Sequence, residues 1–280
     1  MEKIKIVTDS TVDLSNEMIQ HYNIEVVPLS ITINNETFLD RVDITPSQFL
    51  QKMKDSKELP KSSQPAVGQF LEVYNRLGQD GSKIISIHMS GGMSGTVSSA
   101  ENAAKLTDSE VSIVDSRFIS KALSFQVIEA AKMAQKGKWI DEIINRLHVI
   151  RENTQLFAVV DTLENLVKGG RIGRGKALIG SLLNIKPIAS LADGVYTPVA
   201  KVRSYSQVIK YLTRQFSEDT EGKVIKGIGI AHADAVELAN RLKEAITRAT
   251  DFLDIDIIET TPIITTHTGR GTIAFMYYAD

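Results

Sequence analysis

From Ile84 to Ala104 the chain reads IISIHMSGGMSGTVSSAENAA. An apolar run empties into a Ser/Gly turn, and the turn opens a helix of small residues. A strand that hands over to a helix this way calls for a parallel partner strand and a layered α/β fold. It also sets Ser94, Thr96 and free backbone N–H groups at the positive end of a helix, where an anion is favoured. The turn has no Lys in the phosphate-loop position and no G-x-G-x-x-G spacing, so it is not an ordinary nucleotide cradle. A small anion such as a carboxylate fits it better.

At 280 residues, two domains are expected. A 42% apolar and 24% charged composition is that of a globular protein with ample core. A formal net charge of −2 makes no electrostatic case for nucleic acid or an anionic membrane. The absence of cysteine excludes thiol catalysis and Cys-ligated metals and agrees with a reducing compartment. The opening MEKIKIVTDS enters a strand directly, with no long apolar leader, and no later run is fit to span a bilayer. The expectation is a cytoplasmic protein.

Strand and helix signals alternate along the chain. Lys3–Thr8 reads as a strand, the segment from Asp9 to Asp13 as a capping turn, and Leu14–Tyr22 as a helix. Ile24–Ile33 reads as a second strand, with a turn at Asn34–Asn35 and a return strand at Thr37–Leu39. Pro46 begins a helix, and the polar stretch Lys54–Gln64 reads as a loop. A helix carrying Phe70, Val73, Tyr74 and Leu77, the strand Lys83–His88, a helix from Ser94 and the strand Val111–Val114 follow. A long helical region from Phe118, broken at Gly137, leads to a seam near Arg151. The predicted units are therefore 1–150, an α/β domain on a parallel sheet, and 151–280, an α/β domain with a mixed sheet. In the second, Leu156–Val160 precedes a short helix and the basic glycine loop KGGRIGRGK. Ile185–Ser190 and Val195–Val202 flank Asp193–Gly194, a two-residue hairpin signal. Alternating helices and strands then lead to the turn HTGRG and a last strand, Thr272–Tyr278.

Several side chains are candidates for chemistry, and each has an ordinary structural use. Ser94 and Thr96 cap helices in any protein, and Ser62 and Ser63 precede Pro65 in a turn. His267 stands just before Gly269 and Gly271, glycines that imply close approach of the backbone to something. The other histidines share no metal-ligand spacing, so no metal site is assigned. Asp9, Ser10 and Thr11 follow the first strand, at the sheet edge where ligands of open α/β folds sit. Lys168, Arg171, Arg174 and Lys176 make a basic loop suited to a solvated surface, a partner or a phosphate.

Together these segments resemble the DegV family, the fatty-acid-binding subunits of bacterial fatty acid kinase. The resemblance rests on VTDSTVDLS at 7–15, SSQPAVGQF at 62–70, SGGMSGTVSSA at 90–100, VVDTLENLVKGGRIG at 159–173, IKPI at 185–188 and HTGRG at 267–271. It implies a two-domain α/β protein holding one long-chain fatty acid, with no cofactor of its own. The carboxylate site it implies comprises Ser62, Ser94 and His267, with Ser63 and Thr96 beside them. Ser62 stands where the family usually has Thr, Gly91 replaces a Ser, and Arg270 replaces a residue that is often Pro. The resemblance further implies that a separate ATP-binding kinase subunit phosphorylates the bound acid and that an acyltransferase uses the acyl phosphate for phospholipid. Arg171, Arg174 and Arg203 are placed near the carboxylate mouth, facing the partner or the phosphate.

The physical reading agrees. Hydroxyls, helix-start N–H groups and an imidazole replace the hydration a buried carboxylate loses. A sixteen-carbon tail offers roughly 11 kcal/mol before ordering costs, so the tail sets retention and the polar end sets register. The chain carries no G-x-x-x-x-G-K-[ST] segment or kinase loop set for ATP. Two other readings stay open. One is a serine esterase or thioesterase using Ser94, His267 and Asp9 or Asp161, although the G-x-S-x-G elbow is incomplete. The other is a non-catalytic fatty-acid sensor.

Overall fold

The computed structural model describes residues 2–178, 185–191 and 193–280. The chain begins with β1 (Ile4–Asp9), α1 (Asn16–His21) and β2 (Ile24–Val27). It continues through β3 (Ser30–Ile33), β4 (Glu36–Leu39), α2 (Pro46–Asp55), β5 (Lys61–Ser63) and α3 (Val67–Gly78). Next come β6 (Lys83–His88), α4 (Thr96–Ala104), β7 (Val111–Asp115), α5 (Ser120–Gln135) and α6 (Ile140–Glu152). Four of these strands form a parallel sheet in the order β2-β1-β6-β7. Pro46 begins α2 as the sequence predicts, whereas α1 starts at Asn16 and takes its cap from Ser15, outside the predicted capping turn. Ser15 accepts a hydrogen bond from the Met18 amide to cap α1, and Thr45 and Gln48 form a capping box around Pro46 at the start of α2.

A six-stranded mixed sheet is built from β8 (Thr154–Val159), β9 (Lys186–Ser190), β10 (Thr197–Val202), β11 (Ile225–Ala233), β12 (Ile255–Glu259) and β13 (Thr272–Ala279). Its order is β10-β9-β8-β13-β11-β12, with only the β11–β12 pair parallel. The helices of this half are α7 (Glu164–Lys168), α8 (Tyr205–Thr220), α9 (Val236–Thr247) and α10 (Pro262–Thr268), and a 3₁₀ turn spans Gly173–Leu178. The α/β class, the parallel first sheet and the mixed second sheet are as the sequence predicts. α5 touches strands of both sheets and buries nine of its residues, as a helix walled in on two sides must. Gly227 and Gly229 of β11 make room for it, since a Cβ at either would fall under 3 Å from Phe125 or Lys121.

The differences have local causes. The predicted strand Ile24–Ile33 is two strands: after Pro28 the chain leaves the parallel sheet and enters a separate antiparallel sheet, β4-β3-β5. That sheet takes part of the predicted loop Lys54–Gln64 as β5. The α4 helix starts at Thr96, with Gly95 and not Ser94 as its N-cap. β9 and β10 pair from Ser190 and Thr197, so Asp193–Gly194 belongs to a longer connection and is not a two-residue turn. The helix α10 takes in the run before HTGRG and its first two residues, His267 and Thr268, which the sequence predicts as part of a turn. It is started by Pro262 and capped from outside by the buried Asp40, whose Oδ1 accepts from the Ile263 amide at 3.3 Å. Leu29, Ile31, Phe49, Ile263 and Ile264 share one core that clamps the small sheet onto α10.

Candidate functional site

A cavity opens where β5, the turn before α4, the loop after α7 and α10 meet. Ser62, Ser94, Arg171 and His267 share its lining with Leu29, Met89, Met93, Ile119, Ile263 and Ile264. The surface these residues expose to the cavity is mainly apolar, with polar groups gathered on its wall, which suits a largely hydrocarbon ligand with one polar end.

Each polar group is delivered by a different element. β5 pairs with β3 at Ile31↔Ser62, and alternation turns Ser62 inward and leaves Ser63 exposed. The Ser62 hydroxyl lies 2.6 Å from His267 Nε2, at the last turn of α10. Burial, together with the Arg171 charge, pushes the His267 pKa down to about 4, so the imidazole is neutral at pH 7. Gly169 packs against the other side of the ring: a Cβ there would stand 2.4 Å from Nδ1. Nδ1 is buried without a hydrogen-bond partner.

Ser94 lies in the turn that follows β6. Its hydroxyl is 2.8 Å from the Thr96 hydroxyl, and the Ser94 amide donates to the Ser90 carbonyl at 3.2 Å. The turn is pinned from two sides. Arg171 Nε donates to the Met93 carbonyl at 3.1 Å, and Ser90 Oγ donates to the Gly194 carbonyl at 2.5 Å. Gly92 sits against that loop so closely that a Cβ would lie 2.7 Å from the Gly194 oxygen. The Asp193–Gly194 signal thus marks a loop that docks on the Ser/Gly turn.

Ser62, Ser94, His267 and Arg171 are thus brought to one cavity. Thr96 is fully buried beside Ser94 and does not line the cavity, and Ser63 faces away. Arg174 is exposed and paired with Asp193 at 2.6 Å. Arg203 lines a separate surface groove with Lys201, Lys210 and Arg214. Of the residues placed at the mouth, therefore, only Arg171 lines the cavity. Thr11, named for its place after the first strand, also lines it, and so do Gln64 and Thr268, which the sequence did not mark as binding groups.

Among the described residues the geometry does not assemble a hydrolase triad: His267 pairs with Ser62 and not Ser94, and no carboxylate stands behind its Nδ1. Asp9 is fully buried and spent on Thr11, His88 Nδ1 at 3.1 Å and the Met89 amide at 2.8 Å. A buried chain of hydrogen bonds runs on from His88 through Ser86 to Tyr74. Asp161 binds Lys186 at 2.6 Å and the Tyr205 hydroxyl. A base with a pKa near 4 is also a poor match for proton abstraction at neutral pH. Among the described residues no group of three or more His, Cys, Asp or Glu side chains is arranged to hold a metal, and no helix is long and apolar enough to cross a membrane.

Known proteins resemble the chain in sequence and fold along its whole length. A DegV domain-containing protein of Staphylococcus aureus (strain N315) is 42% identical over 276 residues, covering 99% of both chains. One from Listeria monocytogenes is 41% identical over the full length of both. The fold superposes on a fatty-acid-binding DegV family protein from Thermus thermophilus with a TM-score of 0.94 at 29% identity, covering 99% of this chain and 100% of that one. It superposes on DegV, a fatty acid binding protein from Bacillus subtilis, with a TM-score of 0.92 at 30% identity over all of both chains. The family model described as "Uncharacterised protein, DegV family" matches residues 3–280, and the chain belongs to the DegV family.

Proposed function

We propose that this protein binds one long-chain fatty acid in the cavity, with the carboxylate at Ser62, Ser94 and His267 and the tail along Met89, Met93, Ile119, Ile263 and Ile264. The observation that carries this reading is the neutral His267 bonded to Ser62 on the wall of a cavity whose exposed surface is mainly apolar. The fatty-acid-binding relatives from Thermus thermophilus and Bacillus subtilis support it. Neutral donors satisfy the carboxylate oxygens, and Arg171 adds a positive charge at the rim. Ser63 and Thr96 support the site from outside the lining, Ser63 on β5 and Thr96 through the Ser94 hydroxyl. Residues 1–150 and 151–280 act as two units that both contribute to it.

The protein is a carrier and not itself an enzyme. It presents the carboxylate to a separate ATP-binding kinase subunit in the cytoplasm. That subunit transfers the γ-phosphoryl group of ATP to a carboxylate oxygen, releasing ADP and leaving an acyl phosphate for an acyltransferase of phospholipid synthesis. Arg171, Arg174 and Arg203 are the basic groups offered to the partner or the phosphate. The test is ATP-dependent trapping of the product with hydroxylamine, in mixtures of this protein, a fatty acid and the kinase subunit. A hydroxamate that forms only when all components are present is expected. Fatty-acid binding without any hydroxamate would overturn the carrier role and leave a sensor. Charge reversal at Arg203 that left the coupled rate unchanged would remove that residue from the partner surface.

A further inference from the structure

The segments carrying Ser62 and Ser94 extend from different sheets, with no strand pairing between them. Ser62 sits on β5, a three-residue edge strand paired only with β3. Ser94 makes its bonds inside its own turn. Two donors that must meet one carboxylate need a fixed separation, because a donor displaced by about an ångström loses most of a hydrogen bond.

We propose that Gln64 is the positioning residue that sets this separation, by tying the Ser62 strand to the helix that follows Ser94. Its Nε2 donates to Ser99 Oγ at 2.9 Å, one turn into α4. Ser99 is buried, so the anchor is firm. The side-chain amide lies directly on Gly95: a Cβ at that position would stand 2.1 Å from Gln64 Oε1 and 2.7 Å from Nε2. Gly95 has φ −77° and ψ 10°, which any residue adopts. The backbone therefore does not require glycine there, and the seat for Gln64 does. On the other side Pro65 confines Gln64 to extended backbone, which keeps it two residues along from Ser62 and on the same side of the chain. Gln64 also lines the cavity, beside the two hydroxyls it relates.

This assignment rests on the proposed carboxylate site, and the test separates the two. Affinity is measured for hexadecanoic acid and for hexadecanol, which share a tail and differ at the head, in wild type, Gln64→Ala, Gly95→Ala, Ser99→Ala and the Gln64→Ala/Gly95→Ala double variant. Wild type is expected to prefer the acid. Gln64→Ala is expected to cut that preference about fivefold, the worth of about one hydrogen bond, by weakening the acid more than the alcohol. Gly95→Ala should lower it comparably by lifting the flexible amide off its seat, and the double variant should be no worse than Gln64→Ala alone. Ser99→Ala, which leaves the cavity lining intact, should reproduce the loss at a wild-type melting temperature. Equal weakening of acid and alcohol in Gln64→Ala, or an unchanged preference, overturns the positioning role. A wild type that binds both ligands equally overturns the carboxylate site beneath it.

Discussion

Ser62 and His267 stand 205 positions apart in sequence and 2.6 Å apart in the fold. The contact explains why a histidine in this cavity can be useful while uncharged. Its pKa falls from 6.5 to about 4 because burial disfavours the imidazolium and Arg171 repels it. A histidine lowered in this way adds stability that is full above the unfolded value near 6.5 and is lost as pH falls through about 4. Denaturant midpoints of wild type and His267→Gln should therefore diverge between those values, wild type losing ground on acidification; parallel curves would contradict the assigned shift. Ser94→Ala should weaken the acid about fivefold while the tail keeps the ligand bound and the melting temperature holds, as displacement titration and thermal melts can show. His267→Ala should reduce phosphoryl acceptance more than lipid retention, and equal losses in the two assays would deny that division of roles.

The decisive element is α10, a seven-residue helix with its N-terminus on a buried carboxylate and its C-terminus at the cavity. Burial pushes the Asp40 pKa up to about 7, against the pull of Ser10, the Ile263 amide and Arg41, while Asp13 adds repulsion. A raised carboxylate gives stability that is full below about 4 and is lost as pH rises through 7. Asp40→Asn, with an amide oxygen still facing Ile263, should remove this loss, so the variant should gain on wild type between pH 5 and pH 8 in urea melts. A second element, the turn from Ser90 to Gly95, is wedged under backbone atoms. Gly92→Ala must push on the Gly194 carbonyl and should cost about 1–3 kcal/mol in the same melts. The sequence shows these two elements unequally. The strand, the Ser/Gly turn and the small-residue helix are legible from local pattern. α10 is not, because the run TTPIITTHT is rich in β-branched residues, which favour extended chain. Tertiary capping by Asp40 and the apolar face of the small sheet make it helical. Asn34–Asn35 behaves as a local hairpin turn, with both residues at positive φ, whereas Asp193–Gly194 is drawn into docking against Ser90.

On the scale of the whole molecule, the cavity lies where separately built parts converge. The parallel sheet supplies the Ser94 turn, the small antiparallel sheet supplies Ser62, and the mixed-sheet half supplies Arg171 and His267. No local pattern joins them, so the resemblance of the six short segments, and not periodicity, singled out the candidate residues that the fold brings to one cavity. It did not reveal which way each side chain points, which is why Ser63 and Thr96 are outside the lining and Arg203 lies in another groove. A tail buried against Met89, Met93, Ile119 and Ile263 should be held tightly enough to survive purification. The most direct measurement is therefore native mass spectrometry of the protein taken from bacterial cells, followed by denaturing analysis of what it releases. One C14–C18 fatty acid per chain, depleted or altered in composition in Ser94→Ala, is the predicted result. An empty protein that remains empty after incubation with those acids would contradict the account.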